Sequence, residues 1–139
     1  MLTPSRVRYR KTQRGSMKGK SYHNCFVRYG QLGIMSCEPK WITANQIESA
    51  RIAINRVLKK VGKVWIRIFP DKPYTKKPAE TRQGSGKGNP EGYVAVVHPG
   101  QILFEVEVPG NIATAREALI RAGHKLPVRW RIVEKMELD

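Results

Sequence analysis

The sequence predicts an α+β fold, a two-layer sandwich in which two helices lie on one face of a mainly antiparallel sheet. Two segments carry apolar residues at helical spacing, and several short runs alternate between apolar and polar residues as half-buried strands do. The predicted order is strand, helix, strand, long loop, hairpin, helix, strand. A length of 139 residues suits one domain, predicted over 23–139, with a basic arm over 1–22 before it.

The beginning of the chain is basic, and residues 1–37 contain no Asp or Glu. Such an arm cannot bury itself, so we expect it to stay disordered until it meets a polyanion. A merely solvated tail is the alternative, but acidic residues would then be expected among the basic ones. The candidate polyanion-binding residues of the arm are Arg6, Arg8, Arg10, Lys11, Arg14, Lys18 and Lys20. After the arm, residues 24–36 predict one or two short strands, broken at Gly30 and Gly33.

The first helix is the clearest predicted element. Thr43 and Gln46 have the spacing of a capping box at its start, and Gly62 is placed to terminate it. Its predicted apolar stripe comprises Ile47, Ala50, Ile54, Val57, Leu58 and Val61. Basic residues off this stripe, including Arg51 and Lys59, form either a phosphate-binding face or a solvated one.

A strand over 63–69 and a long loop over 70–91 follow the helix. The loop has no helical or strand period, is rich in Lys, Arg and Pro, and is predicted to project from the domain towards a polyanion. Its GSGKG run over 84–88 lacks the spacing of a nucleotide-binding loop, so nucleotide hydrolysis is disfavoured. In the preceding strand, Trp65 and Arg67 share a face and either stack on a base or, as we favour, pack under the loop.

Two alternating runs, 93–98 and 101–108, flank Pro99-Gly100 and predict a β-hairpin with a type II turn. Glu105 and Glu107 belong to one face of the second run. We predict that this face is exposed and that the two carboxylates serve solubility.

A second helix and a last strand complete the predicted fold. Pro109-Gly110 predicts a turn, and Asn111 predicts the cap of a helix that ends at Gly123. The apolar positions of this helix are Ile112, Ala115, Leu119 and Ala122. Alternation over 128–132 predicts the last strand.

The net charge of the chain indicates which class of molecule it binds. Lys and Arg number 26 against 11 Asp and Glu, which gives a net charge of +15 and makes nucleic acid the leading partner. A membrane surface is disfavoured because neither a long apolar run nor a basic amphipathic helix with aromatic anchors is present. Cys25 and Cys37 form no metal-binding pattern with the scattered histidines, so we predict reduced thiols, no metal and no cofactor.

Several longer motifs then carry a family resemblance over nearly the whole chain. They are PSRVRYRK at 4–11, WIT at 41–43, QIE at 46–48, KVWIRIFPDKP at 63–73, KPAETR at 77–82, GSGKG at 84–88, ILFE at 102–105 and KLP at 125–127. With these motifs the chain resembles the L-sixteen family of large-subunit ribosomal proteins, in its bacterial and plastid form.

The resemblance implies an α+β sandwich bound to 23S-type large-subunit rRNA, beside the site that receives aminoacyl-tRNA. Implied partners are A-site and P-site tRNA, neighbouring large-subunit proteins and, as a further candidate, the 5S rRNA region. It implies no enzyme, because RNA performs peptidyl transfer in that family. For the arm, the resemblance implies rRNA contacts at Arg6, Arg8, Arg10, Lys11 and Arg14, and we add Lys18, Lys20, Arg51, Lys59 and Arg67 to the predicted rRNA-binding set. The implied tRNA-proximal loop set is Lys72, Lys76, Lys77, Arg82, Gly84, Gly86, Lys87 and Gly88.

Some positions refine or depart from the family pattern. Glu38-Pro39 and the segment 78–82 resemble plastid members, so we expect the ribosome of the plastid stroma, with the bacterial cytoplasm as the alternative. Gln83 stands where family members usually have Met, and Gly92 replaces an aromatic residue. A free basic RNA chaperone or translation regulator is the alternative function.

Overall fold

The structure, a computed structural model, describes residue 2 and residues 25–75 and 90–136. Within these ranges it contains seven strands and two helices. The elements are β1 Leu32–Ser36, β2 Lys40–Thr43, α1 Ala44–Leu58, β3 Lys63–Ile66, β4 Lys72–Thr75, β5 Pro90–Val97, β6 Ile102–Glu107, α2 Ile112–Gly123 and β7 Trp130–Glu134. The predicted α+β class is confirmed, and so is the two-layer arrangement of helices and sheet.

The strands form two antiparallel sheets rather than one. The order is β3-β6-β1-β7 in the four-stranded sheet and β2-β5-β4 in the three-stranded sheet. The helices α1 and α2 pack against each other, and between them they contact strands of both sheets. One apolar core joins the layers, and its fully buried members include Leu32, Ile34, Ile47, Ile54, Phe104 and Leu119.

The predicted hairpin of β5 and β6 is wrong, although its turn is right. Gly100 has φ 93°, and the Gln101 N–H donates to the His98 carbonyl at 3.2 Å, as a type II turn requires. Beyond the turn, the Ser36 N–H donates to the Gln101 carbonyl at 2.9 Å, so β6 continues beside β1. Strand β5 instead pairs with β2 and β4, and the turn is a corner between two sheets.

The start of α1 is confirmed, and its predicted end is wrong. Thr43 and Gln46 form the capping box, with N–H to side-chain oxygen distances of 2.9 and 3.2 Å. The helix ends at Leu58 because Lys59 and Lys60 adopt left-handed φ values of 48° and 71°. Gly62 has another reason to be glycine, since a Cβ there would lie 2.7 Å from a backbone oxygen of β6.

The apolar pattern of α1 is confirmed in its main part. Ile47, Ala50, Ile54 and Leu58 are buried. Val57 is half-buried against the core, whereas Val61 lies beyond the end of the helix and is 67% exposed.

The second helix has the predicted bounds. The Asn111 side chain accepts from the Thr114 N–H at 3.2 Å, and the last helical residue is Gly123. Glycine is required there by packing, because a Cβ would lie 2.1 Å from the Trp130 ring. Among the predicted apolar positions, Ala115, Leu119 and Ala122 are buried and Ile112 is 51% exposed.

Three smaller differences concern strands. The predicted loop over 70–91 is shorter, because β4 and β5 pair at its base and leave 76–89 as the connection, which lies outside the described residues. Residues 40–43, where no strand was predicted, form β2 directly before the helix. Strand β1 passes through Gly33 without a break, and glycine is needed there because a Cβ would lie 2.7 Å from Val27 Cγ2.

Candidate nucleic-acid interface

Most of the residues predicted to bind RNA lie outside the described part of the chain. These are Arg6, Arg8, Arg10, Lys11, Arg14, Lys18 and Lys20 of the arm, and Lys76, Lys77, Arg82, Gly84, Gly86, Lys87 and Gly88 of the loop. Their roles therefore stay predictions. The described members of the two sets are Arg51, Lys59, Arg67 and Lys72, which lie on α1 and its C-terminal end, just after β3, and on β4.

On the helix, the two predicted basic residues differ in how their charge is used. Arg51 forms an ion pair with Glu48 one turn earlier, and its Nε donates to Glu48 Oε2 at 3.1 Å. The hydrogen bond from Arg51 lowers the pKa of Glu48, and the bond to Glu48 raises the pKa of Arg51. Lys59 is exposed at the end of α1, where it adopts a left-handed conformation. The negative end of the helix dipole also stabilises a cation at this position.

Lys72 stands at the base of the predicted loop. Its Nζ lies 4.9 Å from the centroid of the Trp41 ring, across the middle strand of the three-stranded sheet. A cation over an indole face is attracted by the ring quadrupole. The first cation of the loop set is thus held against the domain.

The fourth described residue, Arg67, forms an ion pair with Glu105 in the interior. The side chains are 9% and 0% exposed, and Arg67 Nη1 also donates to the Phe26 carbonyl at 3.3 Å. Burying two charges costs several kcal/mol per ion, roughly, unless further hydrogen bonds satisfy them. Glu105 needs such partners because it has no contact with water.

Those partners are three consecutive backbone amides. The N–H groups of Arg28, Tyr29 and Gly30 donate to Glu105 Oε1 at 2.9, 2.7 and 2.9 Å. One carboxylate oxygen thus binds the backbone of residues 28–30, and the other binds Arg67. The segment 26–30 is named here the arm root because it follows the arm. These hydrogen bonds hold the arm root against β6.

The electrostatics of Glu105 agree with this geometry. Burial by itself would raise the pKa of the carboxyl. The hydrogen bonds from Gly30, Arg67, Tyr29 and Arg28 outweigh burial, so the pKa of Glu105 is lowered from its ordinary value. Glu105 is therefore a carboxylate at neutral pH, and its negative charge neutralises the guanidinium of Arg67.

The prediction that Glu105 is exposed is wrong. Its strand β6 is an inner strand, with β3 on one side and β1 on the other. The face that a half-buried strand would expose is covered at Glu105 by the arm root, and Val27 of that segment is itself buried. Glu107, two residues further, lies towards the end of the strand and is only partly buried.

Trp65 and Arg67 pack beside the arm root. The rings of Tyr29 and Trp65 stack with centroids 6.2 Å apart and planes at 22°, and the Arg67 guanidinium carbon lies 5.3 Å from the Tyr29 centroid. Packing was the favoured prediction for this pair, and among the described residues its partner is the arm root. Residues 76–89 of the predicted loop lie outside the described part of the chain. Because Glu105 neutralises Arg67, we leave Arg67 out of the RNA-binding surface proposed below.

The arm root presents aromatic and basic groups that sequence reasoning did not select. Phe26 and Tyr29 are 63% and 51% exposed, and Arg28 between them is also exposed. Exposed aromatic rings flanked by arginine suit unstacked RNA bases. The available signal was the run FVRY at 26–29, in which two aromatics flank an arginine just after the arm.

Two other site types find no support in the described ranges. Residues 25–75 and 90–136 contain no group of three His, Cys, Asp or Glu side chains able to hold a metal ion. In the same ranges neither helix has the length and apolar character needed to cross a bilayer.

One comparison with known proteins bears on this surface. The model of a protein family described as "Ribosomal protein L16p/L10e" matches residues 4–133 of the chain. The match includes the arm from residue 4, the arm root and the whole of the predicted loop.

Proposed function

The chain belongs to the ribosomal protein L16p/L10e family, and from this premise we propose that it binds large-subunit rRNA and helps to position tRNA. Membership implies a structural component of the large ribosomal subunit. The observation that carries the proposal is the extent of the match, since residues 4–133 contain both of the basic segments that no core could bury.

The arm root supports the rRNA part of the proposal. Glu105 holds residues 28–30 by three backbone hydrogen bonds, so the chain that precedes them starts from a defined point on the domain. An arm whose root is held in place loses less entropy on binding than one attached through a flexible linker. Phe26, Arg28 and Tyr29 would extend the arm's phosphate contacts with stacking contacts to bases.

The paired strands at the base of the loop support the tRNA part. β4 and β5 pair from Lys72 to Thr75, and Lys72 is held over Trp41. Residues 76–89 are thus attached to the domain at both ends by one sheet. With their Lys and Arg side chains and the nearby glycines, they suit close contact with RNA phosphates near the A site and the peptidyl transferase centre.

Two finer proposals follow from sequence alone. We assign the chain to the plastid form of the family on the basis of Glu38-Pro39 and residues 78–82. We also assign the arm, rather than the loop, the larger share of the rRNA contacts, because the arm contains seven of the predicted cations.

The first experiment separates a ribosomal component from a free RNA chaperone or regulator. Large subunits are washed in high salt and sedimented, and the protein is quantified in the pellet. Stoichiometric protein in the washed subunits is expected. Release of the protein into the wash, with full activity of the stripped subunits, would favour the chaperone.

The second experiment addresses tRNA positioning. Subunits carrying Arg82→Ala with Lys87→Ala should contain stoichiometric protein but form peptide bonds more slowly with full-length tRNA. The matched control is Arg129→Ala with Lys135→Ala, which removes the same charge from exposed positions far from the loop in sequence. Equal rates for both variants at full occupancy would remove the loop from tRNA positioning.

A further inference from the structure

A groove of about 270 Å³ lies between the C-terminal halves of the two helices. Its lining residues are Ala53 and Arg56 of α1 together with Arg121, His124 and Lys125 at the end of α2. Ala53 is buried and the other four are exposed, so a small residue lies beneath a rim of basic ones. None of these residues belongs to the arm, the loop or the arm root.

The groove gathers positive charge with little to neutralise it. Arg56, Arg121 and Lys125 place three basic side chains around it. Arg121 forms an ion pair with Glu117 at 3.0 Å, but the two side chains are 61% and 55% exposed, where water screens such a pair. Like charges that converge around one concavity repel each other, and an anion bound between them removes that repulsion.

Helix dipoles account for only part of this arrangement. A cation near each helix C-terminus is favourable, and Arg56 and Arg121 lie in the last turns. The end of α1, however, already has Lys59 and Lys60 immediately after it. Dipole compensation also does not explain why cations from two different helices border one groove instead of spreading into solvent.

We propose that this groove, named here the interhelical groove, is a second binding site for the RNA backbone, which receives a phosphate between Arg56 and Arg121. The inference rests on the proposed function, because it takes RNA as the partner. Arginine can grip a phosphate through two parallel N–H bonds, and Lys125 adds a point charge. His124, whose ring packs against Trp130 at 6.3 Å between centroids, is positioned at the rim as an additional donor.

This chemistry reads the backbone rather than the sequence of the RNA. Arginine and lysine contacts to phosphates position a protein on RNA and make its affinity fall with salt. Removing one phosphate-binding side chain should lower the slope of log affinity against log salt by about 0.7 to 1. The groove should therefore contribute to the salt dependence of binding and not to the choice between RNA sequences.

The test uses the full chain and a full-length large-subunit rRNA transcript. Affinity is measured at several salt concentrations for the wild type and for Arg56→Gln with Arg121→Gln. The variant should bind roughly tenfold more weakly at moderate salt, with a slope lower by about 1.5 to 2. Thermal unfolding checks that the variant is folded, which we expect because both side chains are exposed.

The matched control is Arg116→Gln with Arg129→Gln, which removes the same net charge. Arg116 and Arg129 are exposed and lie outside the interhelical groove, where they form looser ion pairs at 3.5 and 3.9 Å. A slope that falls equally in both variants would mean that only net charge matters and would overturn the proposal. An unchanged slope in the groove variant would overturn it too.

A measurement without mutation provides a second readout. Lys125 should be protected from amine-acetylating reagent when the rRNA transcript is bound, and Lys40, exposed at the start of β2 and outside the groove, should be protected less. Unprotected Lys125 in saturated complexes would contradict the inference. A flat salt dependence of the wild type would overturn the proposed rRNA binding itself, whereas a steep wild-type slope with an unaffected groove variant would overturn the groove alone.

Discussion

The Arg67–Glu105 and Arg121–Glu117 pairs contain the same two side chains in opposite environments. The first pair is 9% and 0% exposed, and its carboxylate also accepts three backbone N–H bonds. The second pair is 61% and 55% exposed and lies along one helix. Burial therefore determines what each ion pair does in this protein. The buried pair stabilises the attachment of the arm root, and the exposed pair leaves its arginine accessible to a polyanion.

The largest effect on stability is expected when the buried carboxylate is removed. Glu105→Ala leaves the guanidinium of Arg67 and three amides without their partner in the interior. We expect a decrease of about 3–5 kcal/mol in the free energy of unfolding, measured with urea. Glu107→Ala, two residues along the same strand, is the control and should cost about 0.5 kcal/mol or less. A Glu105→Ala decrease as small as the control's would show that the buried pair is not structural.

Removing the other partner should have a smaller effect. Arg67→Met leaves Glu105 with its three backbone donors, so the buried charge keeps most of its hydrogen bonds. We expect the free energy of unfolding to fall by about 1.5–3 kcal/mol, measured in the same urea titrations. If Arg67→Met destabilised the protein more than Glu105→Ala, the amides would not be the main partners of the carboxylate.

The buried pair should also make the free energy of unfolding depend on pH. The pKa of Glu105 is lower in the folded protein than the unfolded value of about 4.3. The folded state therefore binds this proton less readily than the unfolded state, and the stabilisation is present above the unfolded pKa. It is lost as pH falls through the folded pKa. Urea titrations between pH 7 and 3 should show the wild type losing its advantage over Glu105→Gln, and parallel curves for the two proteins would contradict this.

The smallest effect is expected at the exposed pair. Glu117→Gln should change the free energy of unfolding by about 0.5 kcal/mol or less, since exposed i,i+4 pairs contribute little. It should also tighten rRNA binding by a factor of less than about five, because a negative charge leaves the rim of the interhelical groove. Filter binding at low salt measures this change. Weaker rRNA binding by Glu117→Gln would mean that the acid orients Arg121 rather than competing for it.

Elements whose signals are local could be predicted from the sequence. The capping box at Thr43, the cap at Asn111 and the turn at Pro99-Gly100 each depend on residues within three positions of one another, and all three are confirmed. The α+β class followed from the periods of the apolar residues. The family was also accessible from sequence, because long motifs such as KVWIRIFPDKP at 63–73 need no structure to be recognised.

Strand pairing and the burial of charges depend on long-range contacts that the sequence does not reveal. An alternating strand has the same pattern whichever neighbour it joins, so the assignment of β5 and β6 to different sheets was invisible in the sequence. The burial of Glu105 depends on the arm root, whose amides come from residues 75 to 77 positions away along the chain. The interhelical groove likewise exists only where two distant helix ends meet. Periodicity indicates which residues of one element share a face. Whether that face is buried, and which charges pair on it, depends on the other segments that pack against it.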